Sequence, residues 1–406
     1  MSKFIDIKIL RKNLNFRYLF IGQFISFFGT MITGVALPYQ IYHMTHSTLW
    51  VGLLSLSQLV PLLFTALFGG VLADRHHRKL LLISAESLLA IGCVLLALNA
   101  ASATPKIWVL FIVASVMSAF NGLHRPALDS ITQQIVDKKD YPAVGALKSF
   151  KTGVGMIAGP AVAGLLISHF GLLTTYTLDL MTFLISLVAL LLMHHIPAPL
   201  KNNDESTLAA LKTGLRYAVS KQHLMGSYLV DFSAMIFGMP LALFPAIAEQ
   251  FGGASTLGLL YSSPAVGALI FSFISGWTIK VKRHGAAIAI AALLWGIAII
   301  GFGFSKHLWL ALLFLMFAGG FDAVSGIFRS ILWNETIPSE LRGRLAGIEM
   351  ISYLSGPKLG DTESGLMAAA FGITFSVVSG GILCIVGIGL CCYFLPKFWK
   401  YQSTTE

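Results

Sequence analysis

Among the ionisable side chains inside long apolar stretches of the sequence, Asp179, Asp231, Lys358, Asp361 and Glu363 stand out. A charge at the centre of a bilayer costs about 2.5–3.5 kcal/mol on insertion scales, so each of them should face a wet cavity or a partner. A carboxyl in such a cavity can take a proton from one side and release it to the other, which is the chemistry of ion coupling. Asp231 ranks first for that role, Asp361 second and Glu363 third. Lys358 stands three residues before Asp361 and can pair with it on one helical face, which would leave Asp231 the better carrier. For Asp361 the alternative is an ion pair that only fixes helix packing. Other chemistries lack a pattern. His76-His77 and His194-His195 are loop pairs, read as solvated rather than catalytic, and Cys93, Cys384, Cys391 and Cys392 lie in apolar segments without zinc or disulfide spacing. No phosphate-binding G-x-x-x-x-G-K-[ST] loop is present to bind ATP, and no cofactor or metal is expected.

The elements that must position these groups are membrane helices. Of 406 residues 56% are hydrophobic and 11% charged, against about 25% charged in soluble proteins. Each crossing of a core about 30 Å thick needs roughly 20 apolar residues. Apolar runs predict helices at about 17–41, 50–73, 80–100, 106–124, 143–168 and 173–193, and again at about 223–248, 255–279, 286–304, 308–328, 345–371 and 373–395. The stretch after the basic N-terminus is too long for a signal-peptide core and lacks a cleavage site, so it is expected to stay as the first helix.

Orientation follows from charge. Every Lys and Arg except Lys106, Lys306 and Lys358 falls on alternate loops or the adjoining helix ends, which places both termini in the cytoplasm. That distribution accounts for the formal net charge of +10 without nucleic acid as a partner. The two halves also repeat at a lag near 200 residues, another mark of a transporter. Pro61 matches Pro264, Asn121-Gly122 with Arg125 returns as Ser325-Gly326 with Arg329, and Gly159-Pro160 returns as Gly356-Pro357. Residues 1–193 and 222–406 are thus expected to form two six-helix bundles. The linker at 194–221 should carry a short surface helix with Leu208, Leu211, Leu215 and Tyr217 beside Lys212 and Arg216.

The loop after the second helix reads Gly70-Val71-Leu72-Ala73-Asp74-Arg75-His76-His77-Arg78-Lys79. It resembles the G-x-x-x-D-R-x-x-R-K signature of the major facilitator superfamily. The resemblance implies twelve transmembrane helices in two pseudo-symmetric bundles, and a latch of Gly70, Asp74, Arg75, Arg78 and Lys79 that holds the halves together on the cytoplasmic side. A merely solvated basic loop would explain the Arg and Lys residues but not Gly70 or Asp74. The second half keeps Gly276 and basic residues but no matching Asp, so the latch should be one-sided. Gly155-x-x-x-Gly159-Pro160-x-x-Ala163-Gly164 is similar to the motif of proton-coupled exporters in that superfamily, with Ala163 replacing a glycine. Small residues four apart permit close helix packing, and a proline bends the helix.

The wider pattern, including Phe24-Ile25-Ser26, Gly34-Val35-Ala36-Leu37-Pro38, Met44-Thr45-His46-Ser47-Thr48 and Gly343-Arg344, resembles the enterobactin-exporter branch. That branch implies export of a catecholate or similar siderophore from the bacterial cytoplasm across the inner membrane by a monomer. Macrolide or multidrug efflux on the same scaffold is the nearest alternative. The first helix offers Gln23 where many drug antiporters keep an acid. The family's path between helices 1, 4, 7 and 10 points to Gln23, Phe27, Met117, Phe120, Phe232, Met235, Met316 and Phe321 as an apolar wall for a bulky ligand, about half of them lining it and the rest packing. A non-transporting sensor would need a soluble output domain, and a membrane transferase would need a catalytic pair; the chain offers neither, and no enzyme is expected.

Overall fold

The computed structural model describes residues 6–75, 77–194, 207–338 and 341–403; the side chains of 68–75, 207–211, 343, 344 and 346–348 lie outside that description. All regular structure among the described residues is helical. After the short α1 (Lys8–Lys12) come α2 (Leu14–Thr45), α3 (Thr48–Arg75), α4 (Arg78–Ala101), α5 (Ile107–Ile135) and α6 (Tyr141–Leu192). There follow α7 (Thr207–Ser220), α8 (Gln222–Phe237), α9 (Phe244–Phe251), α10 (Ala254–Phe273) and α11 (His284–Gly303). The chain ends with α12 (Leu308–Thr336), α13 (Arg342–Phe371), α14 (Ile373–Phe394) and α15 (Pro396–Trp399). Among the described residues ten helical segments are long and apolar enough to cross a membrane.

Several helices outrun their predicted ends. The 32 residues of α2 span about 48 Å at 1.5 Å per residue, well beyond a hydrocarbon core of about 30 Å. Hydropathy stops where the lipid stops, while backbone hydrogen bonding continues into water. The helix predicted at 223–248 is broken instead: α8 ends at Phe237 and α9 begins at Phe244, with a 3-10 turn over Leu241–Leu243 between them. Pro240 has no backbone N–H to continue the ladder. The carbonyl of Gly238 is taken up by the Trp295 indole N–H at 2.9 Å, so the break leaves that group satisfied inside the bundle. Likewise the run predicted to 279 ends as α10 at Phe273, followed by a 3-10 stretch over Ser275–Lys280.

Two connections carry the repeat into the backbone. Gly171 (φ 77°) breaks α6 into two helical stretches, and Gly372 (φ 92°) separates α13 from α14. Positive φ is open to glycine at little cost and strained for other residues, which accounts for the residue type at both breaks, about 200 positions apart.

The chain forms two compact units, one of Met1–Met44 with Ser57–Asp204 and the other of Thr45–Leu56 with Glu205–Glu406. In the first, Leu19, Leu82, Ala127, Ile131, Leu190 and Met193 make a buried cluster. The second takes the opening turns of α3, and there α7 sets the Tyr217 hydroxyl on the Thr336 carbonyl at 3.2 Å with Ala218 buried and Leu215 exposed. In both units the usual polarity is inverted. Gln23, Gln40, Glu86, Asp179 and Asp361 are buried, whereas Val60, Phe64, Leu191, Phe273 and Ile279 are exposed. Exposed apolar side chains on this scale are what a lipid solvent selects.

Candidate functional site

In the second unit α12 places Asp322 and Arg329 seven residues apart, two turns along one face. α8 brings Asp231 to meet them. The Arg329 guanidinium forms an ion pair with the Asp231 carboxylate through Nη1, and its Nη2 lies 3.5 Å from Asp322 Oδ1. Arg329 Nε is buried with no hydrogen-bond partner among the described residues. The triad faces a cavity of about 370 Å³ whose wall includes Tyr228, Met235, Trp333 and, from α13, Glu349 and Tyr353. Tyr228 and Trp333 stack with ring centroids 5.1 Å apart, and the Trp333 indole N–H is held by Ser227 Oγ at 2.9 Å. A charged triad beside fixed aromatic rings suits a ligand that is both aromatic and polar.

The first unit holds a second polar cluster. Glu86, on α4 and fully buried, directs Oε1 at three groups: Gln23 Nε2 at 2.7 Å, Ser26 Oγ at 3.3 Å and His124 Nε2 at 3.0 Å. Gln23 also donates to Ser186 Oγ at 3.3 Å. Glu86 Oε2 has no hydrogen-bond partner among the described residues. Gln23 lines a cavity of about 410 Å³ together with Phe20, Asp129, Tyr141, Lys148 and Lys151. Deeper along the same helices Asp179 is fully buried and fully engaged: it accepts from Thr33 at Oδ2 and from Thr182 at Oδ1 (3.0 Å), and the Cys93 thiol points at Oδ2 from 3.4 Å.

Asp361 belongs to a third cluster, within the second unit. Its Oδ2 accepts from Ser55 Oγ at 2.7 Å and its Oδ1 from the Ala242 backbone N–H at 2.9 Å, in the break between α8 and α9. Both oxygens are therefore used to tie α3, α13 and that break together. Glu363, two residues further along α13, is half-buried.

The remaining predicted residues are distributed among these features. Met235 lines the Arg329 cavity, and Phe232 and Met235 pack over Gly356. Phe27 covers Gly155, with Lys151 Nζ 5.2 Å from its ring centroid. Met31 covers Gly159, while Met117 fills the space over Gly92 and Met316 lies against Gly267. Phe321 packs edge-on to Phe271. Phe120 is half-buried, Pro160 and Gly164 are buried inside α6, and Pro357 lies inside α13. Of the basic loop, Lys79 Nζ donates to the carbonyls of Met193 (2.7 Å) and Leu191 (3.4 Å), and Arg78 reaches the Ser130 carbonyl at 3.4 Å. The side chains of Gly70, Asp74 and Arg75 lie outside the described residues.

Glu86, His124 and Asp322 escape the sequence reading, as does Arg329 as a counter-ion. The signal was available: the insertion-cost argument that singles out Asp231 applies equally to Glu86 and Asp322. Hydropathy alone does not reveal which helix faces which, so nothing in the sequence of α2 points to the acid that meets Gln23 from α4.

Comparison with known proteins decides the family. The sequence profile of the transmembrane secretion effectors, a branch of the major facilitator superfamily, matches residues 9–404. The chain belongs to that family. Along its whole length this secretion effector is similar to the enterobactin exporter EntS of Shigella flexneri, at 30% identity over 99% of this chain and 97% of the relative. EntS of Escherichia coli O1:K1 is 28% identical over the same shares. The fold is similar to that of a mutant of the nucleoside transporter NupG (TM-score 0.76, 15% identity, 96% of this chain and 100% of that one). It is also similar to a mutant of the peptide transporter POT with alafosfalin (TM-score 0.74, 14% identity, 96% and 95%). This transmembrane secretion effector is accordingly an all-helical, multi-pass membrane transporter of a small molecule and not an enzyme.

Proposed function

We propose that the chain exports a siderophore from the bacterial cytoplasm across the inner membrane, by alternating access and in exchange for protons. The observation that carries this reading is full-length similarity to enterobactin exporters in a protein that also has a cavity pairing Arg329 with stacked aromatic rings. In this reading α6 counts as two crossings divided at Gly171 and α13 supplies one more, giving twelve in two bundles at residues 1–193 and 222–406. Segment 194–221 joins them, both termini are cytoplasmic and the monomer is the working unit. Enterobactin supplied to inside-out vesicles should accumulate in the lumen when the lumen is acidic, and more slowly without the gradient. Equal enterobactin uptake by vesicles that lack the protein would refute the substrate assignment.

The latch belongs to the same proposal. Asp74 at the cytoplasmic end of α3, with Gly70, Arg75, Arg78 and Lys79, stabilises one face of the cycle through charge-assisted contacts. Asp74→Asn should remove most transport while membrane insertion and expression stay normal. Unaltered uptake in that variant at equal protein level would sink the latch.

A further inference from the structure

Antiport needs a buried group that can hold or release a proton, and the buried acids differ in what already holds them. Asp179 has both oxygens in hydrogen bonds. So has Asp361. Asp231 is already held in an ion pair with the Arg329 guanidinium. Glu86 is different: three groups converge on Oε1, while Oε2 faces no partner among the described residues.

Its surroundings complete the contrast. The side chain of Glu86 is fully buried, and its titratable contact is His124 on α5, 3.0 Å away. Gln23 and Ser26 on α2 and Ser186 on α6 are neutral, while Lys151 and Asp179, also on α6, act on it only through space. The Glu86 carboxyl and the His124 imidazole, 3.0 Å apart, can share one proton through a hydrogen bond. With one shared proton the pair is neutral, as COOH with imidazole or as carboxylate with imidazolium. Without it the pair carries one negative charge. The change is a single proton bound or released, with no other reactant.

We propose that Glu86 and His124 together carry the coupling proton, and that Gln23 transmits its arrival to the substrate path. This rests on the antiport reading above. Among the described residues Gln23 is the one side chain that both donates to Glu86 and lines the cavity of about 410 Å³, so a proton or water entering there meets the pair after a single residue. An ionised carboxylate grips the Gln23 amide with a charge-assisted hydrogen bond, roughly twice as strong as a neutral one. Protonation loosens that grip, and a ligand held by an oriented Gln23 loses its contact when the proton binds. That is the sign an antiporter requires. The acid absent from α2 is thus supplied to the same place by α4.

Two measurements on the full-length protein test the assignment. In lipid, pH-difference infrared spectra need no substrate: wild type should show a protonated-carboxyl stretching band that Glu86→Gln removes, Asp231→Asn retains and His124→Asn moves to a different pH midpoint. A band unchanged in Glu86→Gln overturns the assignment. In proteoliposomes, enterobactin transport driven by a pH gradient should fall in Glu86→Gln to the level seen without a gradient, with the variant eluting from size exclusion like wild type. Wild type driven by the gradient and Glu86→Gln driven equally would overturn the Glu86 role while leaving antiport intact. Wild type indifferent to the gradient would overturn antiport and this role together.

Discussion

Arg329→Ala is expected to destabilise the second unit by about 3–5 kcal/mol and to abolish export, because it leaves a buried carboxylate without its counter-charge. The side chains of Arg329 and Asp231 are 12% and 14% exposed, so water screens little of the loss. Asp322 is 38% exposed toward the cavity and can hydrate, which is why most of the cost falls on Asp231. The explanation makes a second demand. Asp231→Asn in the Arg329→Ala background should recover part of the lost stability, since the orphan charge is then gone, whereas each single change alone should be harmful. Export should not return in the double variant if the guanidinium is what a polar ligand meets. Thermal unfolding in detergent reads the loss and recovery of stability, and vesicle uptake reads export. A wild-type unfolding midpoint in Arg329→Ala would show that the pair contributes nothing to the fold.

How much of this could be read beforehand depends on which physical signal a feature leaves. Helix existence was legible because a bilayer imposes a length and a polarity on every crossing. The break at Gly238-Met239-Pro240 was not, since its three residues are as apolar as their neighbours and the compensating Trp295 lies over 50 positions away. Asp231 was legible as an ionisable residue in lipid, but its partner was not. Arg329 sits near the end of α12, beyond the apolar run, where its charge fits the positive-inside pattern of a loop cation equally well. Asp361 was legible in part. The local i, i+3 spacing points to Lys358, which acts on it electrostatically, but the hydrogen bonds from Ser55, about 300 residues earlier, and from a backbone N–H exposed by the helix break were not. Long-range pairing of this kind leaves no trace in a window of twenty residues.

Gly52→Val is expected to stop transport by a different route, through the seam between the opening turns of α3 and the middle of α13. Thr48, Gly52 and Ser55 recur at i, i+4 and i+7 and so share one face of α3. Opposite them, Thr48 Oγ1 donates to the Gly365 carbonyl at 3.2 Å, Thr362 Oγ1 to the Gly52 carbonyl at 3.2 Å, and Ser55 Oγ to Asp361. The helices come this close because neither glycine has a side chain: a Cβ on Gly52 would stand 2.8 Å from the Asp361 carbonyl oxygen, and one on Gly365 2.7 Å from that of Thr48. Both obstacles are backbone, which cannot turn aside, so valine at position 52 must push the helices apart and stretch all three hydrogen bonds. At about 0.6 kcal/mol each, as measured for hydrogen bonds between membrane helices, their loss alone is worth roughly 2 kcal/mol. That shifts a two-state equilibrium by about thirtyfold. The rest of α3, from Ser57 onward, clusters with the first unit. Under the alternating-access reading proposed above, loss of the seam biases the cycle to one side. Cysteines at Thr48 and Gly365 should therefore cross-link readily in an otherwise wild-type background and much more slowly with Gly52→Val. Cross-linking at an unchanged rate would mean that the valine is accommodated and the seam does not depend on the two glycines.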